Sequence, residues 1–166
     1  INIITRSAKD TKGILVSGGA GTEEEGFGTV RYGAALSGEI DARAYAKGFH
    51  RNDQAREDGG DSYDEHTQGQ AGFRTDTKIG ENLITVQGDV YEGSEQVEAE
   101  IPSSTPPFST VTNGRTSMRG ANLLTRWTRP LFGNDELQIQ GYYDRADRDD
   151  AIVDQAIDTL DVDSQY

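Results

Sequence analysis

Ile40-Asp41-Ala42-Arg43-Ala44-Tyr45-Ala46-Lys47-Gly48 is the stretch from which the fold is read. Its even positions are Ile, Ala, Ala, Ala and Gly, and its odd positions are Asp, Arg, Tyr and Lys. In a β-strand successive side chains point to opposite faces, so this pattern separates a small, apolar face from a charged one. A helix would mix the two sets around its circumference. The same parity continues outward in both directions. Thr67, Gly69, Ala71 and Phe73 alternate with His66, Gln68, Gln70, Arg74 and Asp76. Ile84, Val86, Gly88 and Val90 alternate with Thr85, Gln87 and Asp89. Ala121, Leu123, Thr125 and Trp127 alternate with Asn122, Leu124, Arg126 and Thr128. Leu137, Ile139, Gly141 and Tyr143 alternate with Gln138, Gln140, Tyr142 and Asp144. Upstream, 14–20 is rich in Val and Gly, and in 27–36 Val30, Tyr32, Ala34 and Leu36 oppose Thr29, Arg31 and Ala35. The reading is seven strands and the start of an eighth near Thr159.

The connections carry a second regularity. They fall at 21–26, 37–39, 51–64, 77–82, 92–118, 131–136 and 149–157. Every second one is short and turn-like: Ser37-Gly38-Glu39, Lys78-Ile79-Gly80-Glu81-Asn82 and Phe132-Gly133-Asn134-Asp135. The others are mostly longer and acidic. Transmembrane barrels pair short turns at one end with long loops at the other. Segment 101–118, with Pro102, Pro106 and Pro107 among Ser and Thr, reads as a mobile outer loop, because Pro has no N–H for a ladder. Alternation and length alone leave a membrane barrel and a soluble β-domain both open.

Composition narrows the field. Hydrophobic residues are 33% of the 166, and 29 acids against 16 bases give a net charge of -13. So polar a chain has little with which to build a soluble core, whereas a membrane barrel needs an apolar residue only at alternate strand positions. The acidic excess repels phosphate, and no basic patch is visible along the chain, so nucleic acid is not an expected partner. There is no cysteine, which excludes disulfides and thiolate metal sites. No apolar run approaches the roughly 20 residues of a membrane-spanning helix. The opening residues do not read as a signal peptide. The chain opens on Ile1 inside an apolar run and stops at Tyr166 as a strand begins, the pattern expected of an excerpt.

The opening, Ile1-Asn2-Ile3-Ile4-Thr5-Arg6-Ser7-Ala8-Lys9-Asp10-Thr11, resembles the last plug strand of TonB-dependent outer-membrane receptors. Segments 28–36, 41–49, 69–76, 83–93 and 158–166 look like early barrel strands of that family. The resemblance implies an all-β fold, a partial antiparallel up-and-down transmembrane β-barrel. Residues 1–13 would end the plug and link it, and 14–166 would form the N-terminal part of the barrel. Large transporters of this kind have about 22 strands and a plugged lumen, so most of the plug, the TonB-contacting segment and the later strands would lie outside this chain. The implied function is uptake of a scarce solute, such as a ferric siderophore or similar iron chelate, across the bacterial outer membrane. The TonB complex would supply the energy, and outer-membrane lipid would surround the barrel. No catalytic group, cofactor or metal is expected. Two rivals stand beside this reading: a soluble or surface-exposed acidic β-sandwich that binds glycan or calcium, and a passive porin-like barrel without a plug.

On that reading Ile1, Asn2, Ile3, Ile4 and Thr5 form the plug end. Phe73, Trp127 and Tyr143 have the outward parity near strand ends, where an aromatic girdle belongs. Phe49 and Tyr91 have the inward parity. The loop acids Asp53, Glu57, Asp58, Asp61 and Asp64 are the candidate ligand-binding residues, since clustered carboxylates suit calcium or cationic ligands; the simpler reading is a solvated loop. Asp144, Asp147, Asp149, Asp150 and Asp154, interleaved with Arg145 and Arg148, lack the glycine and closing glutamate of an EF-hand and read as surface charge. His50 and His66 flank the acidic loop and are candidates to meet at its base. Ser17 has no nucleophile elbow around it, and Gly18-Gly19-Ala20-Gly21 has no following Lys-Ser or Lys-Thr to make a phosphate loop.

Overall fold

The computed structural model describes residues 5–57, 59–132, 135–150 and 153–166. They form one antiparallel sheet: β1 (Gly13–Gly19), β2 (Gly26–Ala35), β3 (Ile40–Arg51), β4 (His66–Ile79), β5 (Asn82–Pro102), β6 (Ser109–Pro130), β7 (Glu136–Asp149) and β8 (Asp154–Gln165). The order in space is the order in sequence, a plain up-and-down meander with β1 and β8 as its two edges. A single 3-10 turn, Lys9–Thr11, precedes it. The seven strands and the eighth expected near Thr159 are all present, the last beginning at Asp154, inside the 149–157 read as a connection.

Register aligns the alternating sets across the whole sheet. Directly paired residues share a face, so the rows can be followed from strand to strand. One row runs Ile14, Tyr32, Ala44, Phe73, Gly88, Leu123, Tyr143 and Leu160. Another runs Val16, Val30, Ala46, Ala71, Val90 and Ala121, and on β7 and β8 it passes into Arg145 and Asp158. These rows build an apolar face that is continuous from β1 to β6 and narrows on β7 and β8. Arg43, Tyr45, Gln70, Arg74, Asp76, Gln87, Asp89, Arg126 and Gln140 share the opposite, polar face.

Nothing among the described residues covers the apolar face. Ile14, Val16, Leu160 and Val162 are each more than 70% exposed, and Ala8 is the one buried hydrophobic residue among those described. The accessible surface is 11574 Å², against about 8,100 Å² for a compact monomer of this mass. A sandwich would bury the outward parity under a second sheet. The described residues make a single layer.

The connections differ from the reading above in several places. Segment 92–118 is not a loop: β5 and β6 run 21 and 22 residues and pair from Leu83↔Thr128 to Pro102↔Ser109, leaving 103–108 as the turn. β4 pairs β5 only as far as Glu95, and β7 pairs β6 only from Ser117, so the hairpin projects beyond its neighbours. Its prolines sit at the end of β5 and in the turn, where no ladder N–H is needed. The turn between β4 and β5 is also tighter than the reading of 77–82, with Gly80 and Glu81 between the Ile79↔Asn82 pair.

Candidate functional site on the polar face

Several buried residues come together where the segment before β1 lies across the polar face. Ala8 is fully buried, and Thr11, Thr85 and Asp76 are nearly so. Asp76 Oδ2 accepts from the Ala8 backbone N–H at 2.6 Å, and its Oδ1 accepts from Thr85 Oγ1 at 2.7 Å. Arg74 Nη2 forms an ion pair with Asp76 at 2.9 Å. Arg74 Nη1 also donates to Thr5 Oγ1 at 2.9 Å, and Thr5 Oγ1 donates to Gln87 Oε1 at 3.2 Å. On β3, Arg43 Nη1 donates to the Arg6 carbonyl at 2.8 Å, and Asp41 pairs with Lys12 at 2.7 Å. The segment therefore meets β3, β4 and β5 through side chains that all have the polar parity.

Local sequence explains its shape. Ser7 Oγ accepts from the Asp10 N–H at 3.2 Å and donates to Asp10 Oδ2 at 2.7 Å, while Thr11 Oγ1 donates to the carbonyls of Ser7 and Ala8. Short polar side chains closing bonds on neighbouring backbone favour a turn over a strand. Gly33 lets this turn lie close, since a Cβ there would collide with the Thr11 carbonyl group.

Beside the segment, polar-face residues form a further network. Tyr45 donates to Asp89 Oδ1 and receives a bond from Gln70 Nε2 at 2.9 Å. Arg126 donates through Nε and Nη2 to Gln140 Oε1. A hollow of about 530 Å³ lies here, lined by Thr5, Arg74, Gln87, Arg126, Gln140 and Asp163 among others.

Arg31, Arg43 and Arg74 stand close together on this face. Arg43 and Arg74 are direct partners across β3 and β4, and Arg31 is opposite Tyr45, one step diagonally from Arg43. No sequence window shows this basic patch, because its members lie 12 and 31 residues apart. A search by strand parity and register would have found it.

The other candidates fall as follows. Ile1, Asn2, Ile3 and Ile4 lie outside the described residues; Thr5 is on the polar face as above. Asp58 is also outside them. Asp53 Oδ1 accepts from the N–H groups of Asp64 and Glu65, and Asp64 Oδ1 accepts from the Gln54 N–H. These two carboxylates hold the loop's own backbone. Asp61 bridges Ala55, and Glu57 is exposed. Among the described residues no cluster of His, Asp and Glu has a geometry able to hold a metal ion.

His50 and His66 do not meet. His50 has the apolar-face parity and contacts Thr67 Oγ1 and Glu25, while His66 has the polar-face parity and packs edge-on against Phe49 at 5.2 Å. Phe73, Trp127 and Tyr143 do share the apolar face. Phe73 and Tyr143 lie in the strand interiors rather than near their ends, because β4 and β7 extend further than the alternation indicated. Trp127 sits toward the short-turn end, and its Nε1 donates to Asn82 Oδ1 at 3.1 Å.

Asp147 of β7 pairs with Arg119 and Arg145, and Asp150 just after the strand pairs with Arg148. Beyond them Asp154 faces Asp149 across the ladder, and the hydrogen bond and like charge between the two push the Asp154 carboxyl above its ordinary range.

Compared with protein-family models, with characterised proteins and with solved structures, the chain matches none.

Proposed function

We propose that the chain is the early part of the transmembrane barrel of a TonB-dependent outer-membrane receptor, which binds and imports a scarce solute such as a ferric siderophore. The observation that carries this reading is the apolar face and the way it ends. Along β6 it is bounded by Arg119 and Arg129, ten residues apart. At about 3.3 Å per residue this is about 33 Å of strand, and a tilt of about 40° reduces it to the roughly 25 Å of an outer-membrane apolar band. Beyond the Glu92↔Arg119 pair, β5 inverts its parity. Ser94, Gln96, Glu98 and Glu100 continue the formerly apolar side, and Val97, Ala99 and Ile101 continue the formerly polar one. A strand leaving lipid for water on its outer side has reason to do this; a strand in a uniform solvent has none.

Two further features support the reading. The short connections 36–39 and 80–81 are at one end of the meander, and the projecting hairpin and the 52–65 connection are at the other, together with the shorter 20–25 connection. The docked segment lies on the polar face, as a plug inside a lumen would, which favours a plugged receptor over a passive pore. The edges β1 and β8 would then pair with further strands, because unpaired backbone N–H and C=O groups are not tolerated in lipid.

The single tryptophan tests the bilayer placement. In vesicles carrying bromine on the lipid chains, Trp127 fluorescence is expected to be strongly quenched and shielded from aqueous iodide. Quenching by iodide with none by bromolipid would sink the proposal.

A further inference from the structure

β6 begins beyond the reach of β7. The two strands pair only from Ser117, so Ser109–Thr116 has no neighbour on that side among the described residues. At about 3.3 Å per residue this is about 26 Å of edge, with alternate backbone N–H and C=O groups turned outward and unbonded. The other side of the hairpin differs. There the 52–65 connection reaches β5: the Gln96 N–H donates to the Glu65 carbonyl at 2.8 Å, and Arg56 pairs with Glu98 at 3.3 Å. Proteins blunt open edges with proline, charge or bulges. Ser109–Thr116 has no proline, no lysine and no acid, and its register with β5 is unbroken from Pro102↔Ser109 onward. Its one charge, Arg115, is drawn to Glu65 across the hairpin. β8 by contrast carries Asp154, Asp158, Asp161 and Asp163.

A second feature lies at the foot of this edge. Ser117 pairs with Asp149, and Asp149 directly opposes Asp154. Like charges in that position repel, and neither carboxylate has a basic partner among the described residues. The arginines beside them, Arg119 and Arg148, are held by Asp147 and Asp150. A hollow of about 420 Å³ opens here, with Ser117, Met118, Asp149 and Asp154 in its wall.

We infer that the free edge of β6, Ser109–Thr116, docks an extended peptide segment of another protein as an added antiparallel strand, with a basic residue at its N-terminal end set against Asp149 and Asp154. Strand addition satisfies the open backbone groups, and alternate side chains supply the selectivity. On one face the added strand meets Thr110, Thr112 and Gly114, backed by Ile101, Ala99 and Val97 of β5. Small and β-branched residues fit that surface. Antiparallel addition brings the N-terminal end of the peptide to Thr116, where a cation relieves the repulsion between the two acids.

The probe is a short synthetic peptide of alternating Thr and Val behind an N-terminal Lys, labelled with a fluorophore at its other end. With the chain refolded in detergent micelles, fluorescence anisotropy is expected to show saturable binding. N-methylation of the peptide at alternate residues should abolish binding in one phase and spare it in the other, because only alternate amides face β6. Asp149→Asn combined with Asp154→Asn should weaken binding about fivefold, since two exposed charge contacts are lost. Glu81→Gln, in a turn at the opposite end, should bind as wild type does. Hydrogen exchange should slow within 109–116 when the peptide is added. Absence of binding, indifference to the phase of N-methylation, or protection at 13–19 or 154–165 in place of 109–116 would overturn the inference. So would a chain already dimeric in micelles with 109–116 protected before peptide is added, which would give the edge to a second copy. None of these results bears on the bromolipid quenching of Trp127, so this surface and the membrane reading fail separately.

Discussion

Asp76 gathers three donors of different kinds: a backbone amide from Ala8, the guanidinium of Arg74 and the hydroxyl of Thr85. Each is shielded from water, so none can be given up without leaving a desolvated group behind. Asp76→Asn removes the charge and keeps the shape. The expected loss in urea-unfolding free energy is about 2–4 kcal/mol, because Arg74 is left without its counter-ion. Thr85→Val, which removes one neutral donor, should cost about 1 kcal/mol. Equal effects would mean that the ion pair has no special weight. Gly33→Val probes the contact from the other side. Its side chain would occupy the space of the Thr11 carbonyl, so the segment should lift while the sheet stays folded. Faster hydrogen exchange at the Ala8 amide, with strand amides unchanged, is the expected signature. At this scale the sequence showed that Arg43, Arg74 and Asp76 share a parity. It did not show that a segment 37 to 69 residues away would supply partners to all three.

The projecting hairpin is the element that most changes the reading of the chain. Its polar arms, with prolines at 102, 106 and 107, carry the composition of a loop, yet they pair residue for residue up to Pro102↔Ser109. A two-stranded ladder satisfies its backbone without burying a face, so alternation, which reports burial, is a poor guide there. The parity inversion along β5 gives a sharp prediction. Val90→Arg puts a charge in the apolar band and should cost about 2–4 kcal/mol of stability in a bilayer. Ala99→Arg, in the projecting arm, should change stability by less than about 0.5 kcal/mol. Comparable costs at both sites, measured by unfolding from vesicles, would mean that the band does not end at Glu92.

The whole molecule is a single curtain of strands with one wet side and one apolar side. Exposed apolar patches beyond a few hundred square ångströms mark surfaces made for lipid or for another protein, and here the patch crosses all eight strands. Dilution out of detergent into plain buffer should therefore yield sedimentable aggregate. Dilution into lipid vesicles should keep the chain dispersed and β-rich by circular dichroism. A stable, dispersed monomer in buffer would contradict this.

Alternation in residues 40–48 and its echoes along the chain determined the all-β class, the number of strands and which residues share a face. Those are local properties of a backbone with period two. The turn signals placed the tight ends correctly for the same reason, since turn chemistry is written in two to five adjacent residues. Tertiary structure alone decided the length of the β5–β6 hairpin, the separation of His50 from His66 onto opposite faces, the docking of 5–12 on Asp76 and Arg43, and the assembly of Arg31, Arg43 and Arg74 into one row. Each of these depends on register between strands, and register is a relation between distant parts of the chain that no single stretch contains.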